Sequence, residues 1–236
     1  MYRSTLYRKS GRPQDPASSK GDVTAVPEGQ GRRQQILDTA MAIADEKGLE
    51  AVTMRSVAAR VGVTAMALYP HVASKDDLLD GLTGRLLSEV TLIDTAVAWR
   101  ERLRQVARSV RETAKRHPAV MPLLFSRPAV TPEAVRVVDS IYQALVDAGV
   151  PDQQVARVER LASTLVLGYA VSETGGRFAA THPREQRAKL TGVDLPAHRR
   201  LATLLDADVS WDAEFEAALD DLTTLIEHVA RSSGRQ

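Results

Sequence analysis

A chain of 236 residues with 44% apolar side chains is long enough to bury a sizeable core, in one large or two modest domains. It has no cysteine, which excludes disulfides, thiolate metal sites and cysteine nucleophiles and suits the cytosol. With 31 Lys and Arg against 30 Asp and Glu, the formal net charge is +1, so overall charge points to no partner. No run approaches the roughly 18 consecutive apolar residues of a membrane span. Met1 to Ser10 carries Arg3, Arg8 and Lys9 but no apolar stretch of a secretory signal. The expected setting is soluble and cytoplasmic.

Residues 1–30, with Pro13, Pro16, Pro27 and a Ser, Gly and Gln bias, read as a disordered tail. Five basic side chains stand there against three acids, and residues 31–75 hold six against four. This small basic excess fits a solvated surface or a nucleic-acid footprint. The tail is accordingly either a dispensable leader or a basic arm that reaches phosphates or the minor groove. From Arg32 to Lys47, Ile36, Ala40 and Ile43 fall on one face of an amphipathic helix, flanked by Leu37, Met41 and Ala44, and Gly48 ends it. Thr53 caps a short helix with Met54, Val57, Ala58 and Val61 at helical spacing, which Gly62 terminates. Thr64 is placed to cap a second helix of about two turns. That helix turns Leu68 and Val72 to a core and leaves Thr64, Ala65, Met66, Tyr69 and His71 outward. Ser74 then caps a further helix, with Asp76 and Asp77 in the first turn and Lys75 at its first position.

Everything downstream reads as helix, near 74–90, 99–117, 119–126, 132–148, 152–172, 196–206 and 212–231, with no alternating strand pattern. Thr131-Pro132-Glu133 and Gly149-Val150-Pro151-Asp152 mark two helix starts. Phe215, Leu219, Leu222, Ile226 and Val229 form a stripe at coiled-coil spacing, and Val155, Val158, Ala162, Leu165 and Tyr169 repeat it. The stripes fit either an intramolecular hairpin or a dimer contact.

Two short helices joined by a tight glycine turn make a unit that can present one helix to the DNA major groove. Residues 31–90, with Leu68-Tyr69-Pro70-His71-Val72 and Lys75, resemble the DNA-binding head of the TetR family of bacterial repressors. The resemblance implies an all-α fold. An N-terminal three-helix helix-turn-helix head (31–77) sits on a larger helical bundle (78–236) for dimerisation and ligand binding. It implies DNA contacts by Arg55, Thr64, Ala65, Met66, Tyr69, His71 and Lys75. Ala65 and Met66 stand where relatives often carry polar readers, so contacts there would be to thymine methyls or shape. It also implies a ligand-responsive repressor that binds an inverted-repeat operator on double-stranded DNA as a homodimer through the helices near 152–172 and 212–231 and is released by a small, partly apolar effector.

The segment His117 to Pro128 is similar in placement to the switch helix of the tetracycline-responsive subgroup. Met121, Pro122 and Phe125 fill the region of that subgroup's metal-binding histidine, so no metal or cofactor is expected. Candidate effector contacts are Trp99, Met121, Phe125, Tyr142, Tyr169, Glu173 and Phe178, with 173–195 as a gating loop. An enzyme is disfavoured: the five histidines are scattered, and HExxH, GxGxxG, P-loop and GxSxG patterns are missing. A helical dimer that bridges proteins without reading DNA is the remaining alternative.

Overall fold

The computed structural model describes residues 28–128, 130–176, 194–205, 207 and 209–232. The expectations for residues 1–27, for Phe178 and for most of the 173–195 loop lie outside them. Among the described residues there are helices and no strands.

Helix α1 (Glu28–Lys47) starts inside the segment assigned to the tail. It buries Ile36, Leu37, Ala40, Met41, Ile43 and Ala44, the stripe its spacing predicts. Gly48 ends it at φ 83°, a left-handed conformation that favours glycine. After a 3₁₀ turn at Leu49–Ala51 comes α2 (Met54–Val61), opened by a complete capping box. Thr53 Oγ1 accepts from the Ser56 N–H at 3.0 Å, and Ser56 Oγ accepts from the Thr53 N–H at 2.9 Å. Gly62, at φ 81°, closes the helix, and the Gly62 and Val63 N–H groups bond the Ala58 carbonyl.

Helix α3 (Lys75–Leu87) joins the head to the body, packing on α1 on one side and α6 (Pro132–Asp147) on the other. Two buried glycines allow both approaches. A Cβ on Gly81 would lie 2.5 Å from Leu37 Cδ2, and one on Gly84 would lie 2.7 Å from Thr131 Oγ1. Thr131 itself caps α6, accepting from the Ala134 N–H at 3.2 Å. In the body α4 (Trp99–Arg116), α6 and α7 (Asp152–Thr174) pack on one another. The helix expected at 119–126 is shorter, α5 (Leu123–Ser126), because Pro118 and Pro122 cannot donate helix hydrogen bonds. Helices α8 (Pro196–Leu205) and α9 (Trp211–Ser232) follow, and α9 lies along α7.

Both stripes are used within the chain. Phe215 and Leu219 join a core that runs from Ile36 through α3 and α4 to Ala170. Leu222, Ile226 and Val229 meet Leu145, Val155, Val158 and Ala162 in a second cluster. Tyr169 packs edge-on to Trp211 and Phe215, with centroids 6.3 and 6.0 Å away, fixing α7 against α9. The large hydrophobics left exposed on this pair are Leu161 and Leu225.

Candidate DNA interface and internal cavity

The second element of the head differs from its expected form. It is a single 3₁₀ turn, Ala65–Leu68, rather than two turns of α-helix. Pro70 supplies the reason: it has no N–H to return to the Met66 carbonyl, so an α-helical register cannot continue. Tyr69, at φ −58° and ψ −32°, ends the element. Thr64 occupies the N-cap position, but its side chain makes no capping bond. Leu68 and Val72 are buried as expected and anchor the segment from beneath.

The residues on the outer side are open. Met66 is 74% exposed and Tyr69 46%, with Arg55, Thr64 and Lys75 also exposed and Ala65 and His71 half-buried. The state of the cations in the head and in α3 separates structural from available charge. Arg60 is paired with Glu46 at 2.5 Å, Arg85 with Asp38 at 2.6 Å, and Arg33 with Asp77 at 2.7 Å. Arg55 and Lys75 have no hydrogen-bond or ion-pair partner among the described residues. Lys75 stands at the first position of α3, where unpaired backbone N–H groups and the dipole favour an anion.

Arg33 is the positioning residue that the sequence reading missed. Its Nη1 also donates to the His71 carbonyl at 2.6 Å, so one guanidinium ties α1 to both the Tyr69–His71 turn and the start of α3. Asp77 in turn accepts from the Ala73 N–H at 2.8 Å, while its own N–H donates to Ser74 Oγ at 3.1 Å. The Arg33 hydrogen bonds, aided by Ala73, hold the Asp77 carboxyl below its ordinary range. A second tie crosses from α1 to the body. His117 meets Asp45 at 2.9 Å and Glu89 at 3.2 Å, and Glu89 also takes Arg85 and Arg116.

Within the body α3, α4, α6, α7, α9 and the end of α5 line a cavity of about 250 Å³. Its walls include Leu87, Val106, Val110, Leu124, Val137, Ile141, Val166 and Leu222, with Thr83, Arg127, Glu159 and Ser163 as the polar members. None of Trp99, Met121, Phe125, Tyr142, Tyr169 and Glu173 is among them. Met121 is buried in the core, Phe125 is 51% exposed, and Trp99 and Tyr142 pack on the second cluster. Tyr169 is held in the aromatic group. Glu173 is occupied by Arg111 at 2.6 and 2.7 Å and by Lys115 at 3.7 Å. Arg111 also stacks on Phe215, and Glu173 together with Asp212 drives its pKa upward. The cavity was missed because small branched side chains at helical spacing look like ordinary core.

Arg127 belongs to this cavity and to the head's support at once. Its Nη1 donates to Asp80 Oδ1 at 2.5 Å and to the Asp76 carbonyl at 3.2 Å, and Nη2 donates to Asp76 Oδ1 at 2.7 Å. A cavity wall is thus bonded to the first turns of the helix that begins with Lys75.

A capped helix followed by a glycine turn and a short 3₁₀ element, with exposed Arg55 and Lys75 and a helical body behind, is the arrangement of a helix-turn-helix head. Residues 36–82 match the family model described as "Bacterial regulatory proteins, tetR family", and residues 94–226 match "Tetracyclin repressor-like, C-terminal domain". A curated HTH-type transcriptional regulator of Saccharopolyspora erythraea is 30% identical over 220 residues, covering 85% of this chain and 90% of the relative. The HTH-type transcriptional repressor DrrR1 of Streptomyces coeruleorubidus is 30% identical over 162 residues, 68% of this chain and 58% of its own length. The solved structure of the TetR family protein ActR of Streptomyces coelicolor, in complex with actinorhodin, superposes with a TM-score of 0.72. It is 24% identical, and the match covers 84% of this chain and 97% of that one. The chain belongs to the tetR family of bacterial regulatory proteins. Its relatives are named as regulators and repressors, not enzymes, and among the described residues no helix is long and apolar enough to cross a membrane.

Proposed function

We propose that the protein is a ligand-responsive repressor that binds an inverted-repeat operator as a homodimer in the cytoplasm and lets go when a small, largely apolar molecule fills the body cavity. The observation that carries this reading is Arg127, which lines the cavity and bonds Asp76 and Asp80 of α3. An occupant that displaces this guanidinium releases one tie on the first turns of α3, the helix that begins with Lys75 and that Arg33 joins to the Tyr69–His71 turn. The two heads then lose the spacing that matches successive major grooves. Support for an internal ligand comes also from the ActR structure, which holds actinorhodin. Dimerisation falls to the faces of α7 and α9 that carry exposed Leu161 and Leu225, since the predicted stripes are consumed within the chain.

On the DNA side Lys75 and Arg55 serve as phosphate contacts, Tyr69 and His71 hold the backbone, and Thr64, Ala65 and Met66 face the base edges. Ala65 and Met66 read methyl groups and shape rather than hydrogen-bond patterns. The test is a salt titration of operator binding by native protein and by Tyr69→Ala/Lys75→Ala. The variant should bind more weakly and lower the log–log salt slope by about one per half-site. Unchanged affinity and slope would remove the DNA half of the proposal.

A further inference from the structure

The described body buries two arginines and one glutamate, and both arginines are paired. Arg102 meets Asp147, and Arg111 meets Glu173 and Asp212. Glu159 is the exception. It is 8% exposed, and Ser163 Oγ donates to its Oε1 at 2.6 Å. No arginine, lysine or histidine among the described residues pairs with it.

Glu159 lines the cavity together with Val106, Val110, Ile141 and Val166. The buried side chain thus has one hydrogen-bond donor, Ser163, and no cation beside it among the described residues. The other charge on the wall, Arg127, is bonded to Asp76 and Asp80 and does not neutralise Glu159. The wall therefore leaves a place beside Glu159 for a cationic group of a ligand.

We infer that the cavity recognises an amphipathic organic cation, with an apolar body against the valine and isoleucine walls and a protonated amine donating to Glu159 beside Ser163. This rests on the reading of the cavity as the effector site, and it supplies the chemical class of that effector. Ser163 holds one carboxylate oxygen and leaves the other to the ligand. A neutral alcohol of the same shape leaves the charge unbalanced, and an anion is repelled.

Three probes with one body and different heads test this: 4-phenylbutylamine, 4-phenylbutanol and 4-phenylbutanoate. Binding to the full chain is measured calorimetrically at neutral pH, and release of a bound operator duplex is followed in parallel by fluorescence anisotropy. The amine should bind about 10-fold or more tighter than the alcohol, and the carboxylate weaker than both. Glu159→Gln keeps the shape and can still accept from Ser163. It should bring amine and alcohol to within about 3-fold while alcohol binding persists. Equal binding of amine and alcohol, no measurable amine binding, or a preference that survives in Glu159→Gln overturns the inference. The comparison on native protein stands whether or not the variant folds. Release separates this inference from the reading beneath it. Probes that bind and leave the DNA in place contradict the effector role of the cavity. Equal release by all three keeps that role and removes the charge requirement.

Discussion

Arg127→Met cuts the link between cavity and head while keeping most of the side-chain stem on the cavity wall. The structure sets the scale of the loss. Asp76 is 83% exposed and rehydrates when its partner goes, so its ion pair contributes little. Asp80 is 32% exposed, and the Asp76 carbonyl also loses a donor, so the stability cost should be about 1–2 kcal/mol. The functional consequence is larger. A coupling of about 1–3 kcal/mol corresponds to roughly 5- to 150-fold weakening of DNA binding by effector. If Arg127 carries that coupling, the variant should bind operator within about 3-fold of native when unliganded and show less than about 3-fold release at saturation. The assay is anisotropy of a labelled operator with and without a cavity ligand that releases the native protein, with calorimetry to verify that the variant still binds the ligand. Full release by a ligand-binding Arg127→Met protein would refute the role assigned to this residue.

Two further outcomes follow from the head and the link helix. Arg33→Ala should destabilise the protein by about 1 kcal/mol at neutral pH, since the pair it breaks is about one-third exposed. Because Asp77 has a lowered folded pKa, the pair's contribution is full above the unfolded value near 3.8 and is lost as pH falls through the folded value. The difference in unfolding temperature between native and variant should therefore narrow on acidification below about pH 4, and a gap that stays constant contradicts the assignment. Gly84→Ala places a methyl group 2.7–3.0 Å from three side-chain atoms of Thr131, the residue that caps α6. Despite the better helix propensity of alanine, the net cost should be about 1–2 kcal/mol by denaturant titration. A stabilised variant would mean that α3 and α6 are not held as closely as described.

The head was largely legible because its determinants are local. Thr53, Ser74 and Thr131 act as caps through their own hydroxyls, and Gly48 and Gly62 adopt the left-handed conformations that glycine accommodates. At Ala65–Leu68 the helical spacing is overridden by the missing N–H of Pro70, which leaves a 3₁₀ turn where two turns of α-helix were expected. Among the described residues the expected effector contacts do not line the cavity, for a different reason. Aromatic size marked Tyr169, Tyr142 and Trp99 as contacts, whereas these rings fill space between helices and the void is left among valines, alanines and leucines. Which branched residues face a void rather than a neighbour is decided by packing between α3, α4, α6 and α7, and no spacing within one helix encodes it. One signal was visible: Glu159 sits on the buried face of α7 next to Val158 and one turn from Val155 and Ala162. The Arg127 link joins positions about fifty residues apart and had no local trace.

The most direct measurement is selection of the purified protein on a random double-stranded DNA library, followed by sequencing of the retained duplexes. The account predicts enrichment of an inverted repeat with half-sites one or more helical turns apart, retained by a dimer. Recovery of no enriched sequence by protein that is folded and dimeric would contradict it, and would favour a dimer that bridges proteins instead.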